Sequence, residues 1–582
     1  MKQSSQAILG ILVGLLWWAP VAAQEQPRPI TVFLAKKIIT MDPGLPAATA
    51  VAVRDGKILS VGSLDDLQPW LTSAPHKIDR TLADKVLMPG FIEPHGHPLL
   101  GGTSLTRPLL TYLPTPNPYG PAFPGVRTQA EAAAKLREYV TKAKSLDETI
   151  LAWGYDVIAM GGKHLDKAML DKISATQPIL IWDASEHFVY ANSAALKKYK
   201  VVKEDTKING VMAGPDGEPN GQFLGTTAAA KVLAEPLNEL LTPQLALKNV
   251  KHLMDLSRQN GVTTTSDLAF GSINLALEEQ VMDKYFNNVA SPMRCVVVTD
   301  VAALTATKGD QAIAFTKGLA KRNTDKLIFN GVKFFADDSF LSLGMVMENP
   351  GYIDGREGLF ITPPEKMVET WSPWWKAGFQ IHVHSNGNGG NEATLRALEG
   401  LMQAHPRSNH RFTFQHYGMS TAEQARRISI AGGVVSVNLY YLYYRSEFNA
   451  PYVGADRAYT AARLKSLVDA GVPTSVHTDT PVAPPFPLEE VLIAVNRFGL
   501  SGKVRGPGER VSVDQALRMV TIDAAFTLGV EDKVGSIAAG KFADFAVLAQ
   551  DPYAVPKERI RNIKVWGTVV GGVVFPASVI KP

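Results

Sequence analysis

Short apolar runs alternate with amphipathic stretches along most of the chain. The apolar runs have the length of buried strands, and the stretches between them repeat apolar residues at helical spacing. Strands that alternate with helices favour a parallel sheet, and the chain length and number of units favour an α/β fold with a (β/α)8 TIM-type barrel. The strand candidates are residues 86–92, 150–153, 179–182, 263–267, 294–298, 328–335, 379–384, 412–415, 434–437 and 474–477. The helix candidates are residues 129–144, 242–260, 365–377, 391–404, 421–431, 460–470 and 513–528. The strand candidates outnumber the eight that a barrel needs, so we expect some of them to be hairpins or loop pieces.

Further strand-like runs lie near both chain ends. They cover residues 30–40, 50–53 and 57–61, and then 542–548, 563–566 and 568–575, where Gly571 and Gly572 fall inside the last run. Chain ends commonly lie close together in a folded domain. We therefore predict a small β-sandwich domain built from both termini, residues 24–86 and 534–582, around a barrel at residues 87–533.

The first residues have the layout of a secretory signal peptide. Lys2 precedes an apolar run that ends near Trp18, and small residues follow up to Ala23. We predict cleavage after Ala23, a signal peptide at residues 1–23 and a periplasmic or secreted protein that leaves the membrane on cleavage. The alternative is an uncleaved anchor, although the run is short for a membrane span.

Composition adds limits on partners and on redox chemistry. The 582 residues are 46% hydrophobic and 20% charged, which is ordinary for a globular protein. The net charge is +4 without a dense basic run, so charge gives no case for nucleic-acid binding. Cys295 is the only cysteine and lies in an apolar run, which predicts a packing residue rather than a nucleophile. A small-molecule substrate is the expected partner, and a homo-oligomer remains open.

The most informative chemistry is the pair His95 and His97, directly after an apolar run. Residues two apart in an extended chain project to the same side, where two imidazoles can bind one metal ion. Active sites of (β/α)8 barrels lie at the carboxyl ends of the strands, so polar residues at those ends are further candidates. The candidates that follow or end later apolar runs are Lys333, His382, His384, His416 and Asp479.

Several segments of this chain resemble the amidohydrolase superfamily, and within it the YtcJ-like group, amidohydrolase family 3, which includes enzymes similar to N-substituted formamide deformylase. The group is indicated by HFVYANSAAL at residues 187–196 and VKFFADD at residues 332–338. The other matching segments are residues 53–58, 61–62, 89–97, 153–156, 384–388, 478–481 and 535–544.

The resemblance implies a set of metal ligands. His95 and His97 would bind one metal, a carboxylated Lys333 would bridge two, and His384 and His416 would bind the second. Asp479 would contact the bridging hydroxide and transfer its proton. Zn²⁺, as one or two ions, is the default for these ligand types, although Mn²⁺, Fe²⁺, Co²⁺ and Ni²⁺ also fit. An unmodified Lys333 in a structural ion pair is the alternative.

The predicted function is that of an exported metal-dependent amidohydrolase. Metal-activated hydroxide would hydrolyse a non-peptide C–N bond of the amide, N-formyl or carbamate type. Two alternatives stay open: a lactone or ester hydrolase that uses the same site, and a non-catalytic binding or regulatory protein on the same fold.

Four residues are candidates for contact with substrate, each with a structural alternative. Trp153, His187 and Asn192 lie in segments that should line the pocket, and His477 replaces a small residue that the family usually has. His477, like His382, would either orient the metal ligands or simply pack. Asp338 and Asn388 also depart from the family pattern. Residues 108–127 and 440–445 should form the mouth. The remaining histidines are predicted at the surface: His76, His164, His252, His405 and His410.

Overall fold

The computed structural model describes residues 28–161 and 163–578, and the predicted signal peptide lies outside these described residues. Its strands are β1 (Ile30–Ile39), β2 (Ala47–Arg54), β3 (Lys57–Gly62), β4 (His76–Asp79), β5 (Val86–Pro89), β6 (Phe91–Ile92), β7 (Ile150–Tyr155), β8 (Ile179–Asp183), β9 (Phe188–Ala191), β10 (Val211–Ala213), β11 (Pro219–Leu224), β12 (Val262–Phe270), β13 (Arg294–Asp300), β14 (Leu327–Phe335), β15 (Ile381–Ser385), β16 (Thr413–His416), β17 (Val434–Asn438), β18 (Thr474–His477), β19 (Phe545–Leu548), β20 (Val565–Val570) and β21 (Val573–Pro576).

A curled parallel sheet contains β6 and β12 to β18, paired side by side in sequence order. Its two edge strands approach each other, because Gly96 after β6 forms a parallel bridge with Thr480 after β18. The backbone amide of His97 also donates to the carbonyl of Thr480 over 3.2 Å. All eight strands therefore direct their carboxyl ends to one side, where polar side chains from distant segments can meet.

A helix follows each strand of this sheet, as the alternating pattern predicts. The helices of the described chain are α1 (Gln68–Leu71), α2 (Pro98–Leu105), α3 (Gln129–Thr141), α4 (Lys167–Asp171), α5 (Ser193–Lys198), α6 (Thr226–Leu240), α7 (Pro243–Gln259), α8 (Leu275–Phe286), α9 (Val301–Lys308), α10 (Ala312–Ala320), α11 (Pro364–Lys376), α12 (Asn388–Ala404), α13 (Ala422–Ile430), α14 (Ser446–Val453), α15 (Ala455–Tyr459), α16 (Lys465–Asp469), α17 (Pro487–Asn496), α18 (Val513–Met519) and α19 (Ile522–Thr527). None of them is long and apolar enough to cross a bilayer.

Two predicted helices are shorter than the sequence indicates. The helix expected over residues 460–470 is confined to α16, and the one expected over residues 513–528 is divided into α18 and α19. The division falls at Thr521, whose backbone leaves the helical region with ψ near −100°. Its hydroxyl donates to the carbonyl of Leu517 and so ends α18 with a side-chain bond.

Two strand candidates lie outside the curled sheet. β7 and β8, from the candidates at 150–153 and 179–182, belong to a separate five-stranded sheet of order β10-β11-β9-β8-β7. β8 and β9 pair antiparallel, as the arms of a short connection do. The sequence correctly predicts surplus strands but does not show that they assemble into a sheet of their own.

The strands from both chain ends form one eight-stranded sheet, in the order β21-β20-β19-β5-β1-β2-β3 with β4 beside β1. Strands from both termini therefore pair in one sheet, whereas a small β-sandwich domain built from them stays a prediction. The run expected over residues 568–575 is wrong in one detail. Gly571 and Gly572 form the turn between β20 and β21, and both have positive φ.

The single apolar run at residues 86–92 contributes one strand to the terminal sheet and one to the curled sheet. β5 pairs with β1 and β19 of the terminal sheet, and β6 pairs with β12 of the curled sheet. Gly90 lies between them, and its amide donates to the carbonyl of Asp544 over 2.9 Å. A Cβ atom at Gly90 would lie 1.9 Å from Oγ1 of Thr263, so only glycine fits this close approach.

Burial confirms one packing prediction and overturns two others. Cys295 is fully buried in β13, as its apolar surroundings predict. His252 and His410, expected at the surface, are both buried. His252 packs its ring against Tyr119, and Nδ1 of His410 accepts from the amide of Phe412 over 3.0 Å. A polar neighbourhood in sequence does not reveal such tertiary partners.

Candidate metal centre

The carboxyl ends of the curled sheet bring the predicted ligands together. His95 and His97 follow β6, and Asp479 follows β18, so residues almost 400 positions apart share one site. His97 and Asp479 are the most accessible members, with 14% of each side chain exposed. The other members are buried: His95, Lys333, His384, His416 and His477.

The backbone is strained at two of these positions. His416 has φ of 75° and Asp479 has φ of 57°, both in the left-handed region that non-glycine residues rarely adopt. Such conformations cost on the order of 1 kcal/mol and concentrate at functional sites. Here they turn the two side chains inward from the ends of β16 and β18.

A first group of potential ligands contains His95, His97 and Asp479. Oδ1 of Asp479 lies 3.2 Å from Nε2 of His97 and 3.5 Å from Nε2 of His95. One ligand atom from each of the three residues lies within 4.8 Å of the others. Two imidazoles and one carboxylate form a suitable donor set for a divalent transition-metal ion.

A second group contains His95, His416 and His477 and meets the same distance limit. Nε2 of His477 lies 3.2 Å from Nδ1 of His416, and the rings of His95 and His477 stack at 4.6 Å. The two groups share His95. The sequence predicts His477 as a candidate for substrate contact that would orient the metal ligands or pack, and the structure places it beside His95 and His416.

Lys333 reaches this cluster from β14. Its Nζ lies 3.3 Å from Nε2 of His95, and the side chain is buried. Burial lowers the pKa of Lys333 to about 8, although the carboxylates of Asp479 and Asp300 favour the charged form. A lowered pKa increases the share of neutral amine, the form that can react with CO₂.

His384 lies next to the cluster but outside both groups. Its ring centroid is 4.4 Å from that of His416. Its Nε2 accepts a hydrogen bond from the side-chain amide of Asn386 over 2.8 Å, so that lone pair is occupied. The amide of Asn386 also donates to the carbonyl of Asp338, which fixes its position.

The orientation of His95 depends on Gln415, a residue that the sequence reasoning missed. Nδ1 of His95 lies 2.7 Å from the amide oxygen of Gln415 and must donate to it, because a carbonyl oxygen only accepts. Neutral His95 therefore directs the lone pair of Nε2 into the cluster. The amide nitrogen of Gln415 donates to Nδ1 of His382 over 2.9 Å. Thus His382 supports His95 through Gln415. The sequence signal that could have pointed to Gln415 is its position as a polar residue inside an apolar strand.

Charges around the first group favour an ionised pair. Burial alone would lower the pKa of His97, but hydrogen bonds and charges from Asp267 and Asp479 raise it to about 9. Burial would raise the pKa of Asp479, but the bond to His97 and its charge lower it. Burial raises the pKa of Glu93 to about 8, even though Glu93 accepts bonds from the amide of His95 and from Thr478.

His187 forms an ion pair with Asp338, one of the residues that departs from the family pattern. Burial would lower the pKa of His187, but Asp338, aided by Asp183 and Glu186, raises it to about 9. Burial would raise the pKa of Asp338, but His187 lowers it to about 2. The imidazole is therefore a fixed cation near His384, at 6.3 Å between ring centroids.

The ion pair of His187 and Asp338 predicts a pH-dependent stability. The folded pKa of His187 is raised from 6.5 to about 9, so its contribution is complete below pH 6.5 and is lost as pH rises through about 9. The folded pKa of Asp338 is lowered from 3.8 to about 2, so its contribution is present above pH 3.8 and is lost as pH falls through about 2. Thermal melts should show that Asp338→Asn loses the most stability, relative to the wild type, between pH 3.8 and 6.5, where both contributions are complete. Asp469→Asn, at an exposed pair with Lys465, is the control with little deficit. A deficit that is constant from about pH 5 to 10 would contradict this assignment.

The remaining two predicted substrate residues have different surroundings. Nε1 of Trp153 donates to the carboxylate of Glu186 over 3.1 Å, and its ring lines a cavity near the cluster. Asn192 caps α5 through a bond from the amide of Ala195, and it also accepts from the amide of Ile179. Its side-chain nitrogen donates to two backbone carbonyls, so Asn192 caps α5 and joins neighbouring segments, and its contact with substrate stays a prediction.

The cavity is apolar and lies where the mouth was predicted. Its walls come from residues 111–116 and 481–484 together with Tyr440 and Tyr444. No lining residue carries a charge. The hydroxyl of Tyr440 donates to Glu489, and the hydroxyl of Tyr444 donates to Asp156. Because both hydroxyls are engaged in this way, these tyrosines contribute their aromatic rings to the cavity wall. Pro481 and Val482, which closely follow Asp479 in the chain, are among the residues that line this cavity.

The match to known families agrees with this geometry. A family model described as the amidohydrolase family, Amidohydro_3, matches residues 81–576. The chain belongs to the amidohydrolase family. The matched range includes all the residues of the cluster, so the amidohydrolase resemblance seen in the sequence motifs is confirmed.

Relatives of this amidohydrolase span nearly its whole length. The putative amidohydrolase YtcJ of Bacillus subtilis (strain 168) is 24% identical over 537 residues, which are 90% of this chain and 95% of that one. The N-substituted formamide deformylase of Arthrobacter pascens is 23% identical over 574 residues, 94% of this chain and 98% of that one. A crystal structure of a metal-dependent hydrolase from Pyrococcus horikoshii OT3 matches with a TM-score of 0.67 at 18% identity, covering 91% of this chain and 99% of that one. That likeness shows a shared fold.

Proposed function

We propose that this amidohydrolase is an exported metal-dependent enzyme that hydrolyses a non-peptide C–N bond of an amide, N-formyl or carbamate. The observation that carries the proposal is the convergence of His95, His97 and Asp479 within 4.8 Å at the ends of one parallel sheet. Export rests on the signal-peptide pattern of residues 1–23.

The donor set fits a divalent metal ion. Imidazole nitrogens with one carboxylate suit Zn²⁺, and buried Nε2 of His416 has no hydrogen-bond partner within the described residues. His95, His97 and Asp479 would hold one ion, and His416 with a carboxylated Lys333 would support a second. When bound, such an ion lowers the pKa of water to near 7 and polarises a carbonyl group.

Asp479 is the residue suited to proton transfer. Its carboxylate stays ionised beside His97 and is 14% exposed, so it can accept a proton from the attacking water. The same carboxyl group can then donate that proton to the leaving nitrogen. His187, held as a cation by Asp338, would stabilise negative charge that develops on the substrate oxygen.

The cavity and the relatives support the type of substrate. The uncharged aromatic walls around Trp153, Tyr440 and Tyr444 suit an apolar or aromatic substituent. The Arthrobacter pascens relative is named for N-substituted formamides, in which the nitrogen carries a substituent. An uncharged small molecule whose amine portion carries an aromatic ring, such as an arylalkylamine derivative, is therefore the proposed substrate class.

A matched substrate panel tests the proposed function. Purified protein loaded with Zn²⁺, Co²⁺ or Mn²⁺ is assayed on the formamide, acetamide and carbamate of benzylamine and on the matching benzyl esters. We expect C–N hydrolysis that a chelator abolishes and added metal restores. Ester hydrolysis alone would favour the esterase alternative, and full metal loading without any turnover would favour a binding protein. Export is tested by intact mass, because a mature protein that begins at Met1 would contradict cleavage.

A further inference from the structure

Glu186, in the connection between β8 and β9, has a strained backbone. Its φ is 61°, in the left-handed region that glycine adopts readily and other residues rarely do. Two bonds hold this conformation: the Glu186 amide donates to the carbonyl of Asp183 over 3.1 Å, and the Glu186 carbonyl accepts from Nε1 of Trp182 over 3.0 Å. Such strain concentrates at functional sites, which makes the Glu186 side chain a candidate for a role in this site.

One oxygen of the Glu186 carboxylate is fixed by two donors. Oε1 accepts from Nε1 of Trp153 over 3.1 Å and from the hydroxyl of Ser104 over 3.0 Å. Trp153 lines the apolar cavity, and so does Leu105, the chain neighbour of Ser104. These two bonds therefore anchor the carboxylate to the wall of the cavity and set its orientation.

The other carboxylate oxygen, Oε2, is available to accept a hydrogen bond. It has no partner within the described residues, and it is not one of the fully enclosed atoms without a partner, because the Glu186 side chain is half-buried. The metal cluster lies close enough for its charges to act on this carboxylate. Burial raises the pKa of Glu186 to about 7, while His97 lowers it and Asp479 adds to the rise. Since Glu186 belongs to neither group of potential metal ligands, its open oxygen can serve the substrate instead.

Possible substrates differ in what they offer to such an acceptor. A secondary amide carries one N–H donor beside its carbonyl group, a tertiary amide carries none, and the corresponding oxygen of an ester has only lone pairs. His187, the next residue, is a cation that can donate to the carbonyl oxygen, so the two neighbours offer one donor and one acceptor. An ester would direct lone pairs at the carboxylate and leave it without a hydrogen bond, which weakens binding.

We propose that Glu186 is a specificity-determining residue that accepts a hydrogen bond from the N–H of the scissile amide, so that the site selects secondary amides over tertiary amides and esters. This inference rests on the proposed function, because it concerns the substrate of the same site. It narrows the substrate class to molecules in which the nitrogen of the scissile bond carries a hydrogen.

Two substitutions at Glu186 separate the hydrogen bond from the fold. In Glu186→Gln the amide oxygen must take the place of Oε1, because Nε1 of Trp153 only donates, and the amide nitrogen then replaces the open acceptor with a donor. Glu186→Gly removes the carboxylate and suits a φ of 61°, so this variant should remain folded. Glu369→Gln, at an exposed pair with Lys366, is the matched control.

Each metal-loaded protein is assayed on N-benzylformamide, on its N-methyl derivative and on benzyl formate, with spontaneous ester hydrolysis subtracted. The assays are run at about pH 8.5, where the Glu186 carboxylate is ionised. Esters are intrinsically more reactive, so the quantity compared between proteins is the ratio of kcat/KM for N-benzylformamide to kcat/KM for benzyl formate. Bound metal is measured in parallel to show that every protein is fully loaded.

We expect the wild type to prefer N-benzylformamide over its N-methyl derivative, and Glu186→Gln to lower the formamide-to-ester ratio at least about tenfold, as loss of a hydrogen bond to a charged group would. Glu186→Gly should lower the ratio less, and Glu369→Gln should match the wild type. Unchanged ratios in both Glu186 variants at full metal loading would overturn the inference. A wild type that hydrolyses none of the three compounds would overturn the proposed function instead, and calorimetric binding of the same compounds to the same variants would then decide whether Glu186 recognises the N–H.

Discussion

The substitution Asp479→Asn should reduce turnover by about 10²–10⁴-fold, the range that a positioned general acid–base contributes. Asparagine keeps the shape of the side chain but cannot accept a proton from water or pass one to the leaving nitrogen. The carboxylate lies 3.2 Å from Nε2 of His97 with 14% of the side chain exposed, which suits both steps. Steady-state kinetics with a parallel assay of bound metal would measure the effect.

The metal assay separates the two roles that Asp479 could have. A variant that keeps its metal and loses turnover supports proton transfer, whereas loss of metal together with turnover supports ligation. Asp469→Asn removes a carboxylate of the same size at an exposed position and should leave turnover unchanged. Unchanged turnover in Asp479→Asn at full metal loading would refute the proposed mechanism.

The second large effect is expected from Lys333→Ala. If carboxylated Lys333 bridges two metal ions, its loss should reduce bound metal from two ions per chain to at most one and remove most of the activity. The neutral amine that CO₂ requires is favoured by burial, which lowers the pKa of Lys333 to about 8. Inductively coupled plasma mass spectrometry of dialysed protein counts the ions.

Lys326→Ala is the matched control for Lys333. Lys326 precedes β14 at the opposite end of the sheet, donates to the carbonyl of Ser291, and also has a pKa lowered by burial. Metal binding should be unchanged in this variant. One metal ion per chain in the wild type, unaffected by Lys333→Ala, would indicate a mononuclear site and a structural lysine.

Much of the candidate site could be predicted because strand ends are readable in sequence. A run of apolar residues that stops at a histidine, lysine or aspartate indicates both a buried strand and the chemistry at its carboxyl end. His95, His97, His416 and Asp479 were found in this way, and the structure places all four together. The direction of parallel strands makes this inference possible over long separations.

Contacts between side chains of different strands could not be predicted in the same way. Two such contacts are the hydrogen bond between Gln415 and His95 and the one that Asn386 donates to Nε2 of His384. Both depend on which strands are neighbours in the sheet and on the side-chain rotamers. His477 was recognised as unusual, but only the register of β17 and β18 places Ser436 behind it. Local patterns also cannot show that β7 and β8 leave the main sheet, because buried strands of either sheet have similar composition.

Asp544 has a consequence for attempts to cut this enzyme down to a minimal catalytic fragment. Its carbonyl binds the amide of Gly90, and its carboxylate pairs with buried Arg294 of β13. Trimming the C-terminal strands would leave the Arg294 charge buried without a counterion, at a cost of about 3–5 kcal/mol. It would also release the chain five residues before His95. The last strands to be synthesised therefore help to support His95 and His97, the first candidate metal ligands, and we expect the site to assemble only once these strands are in place.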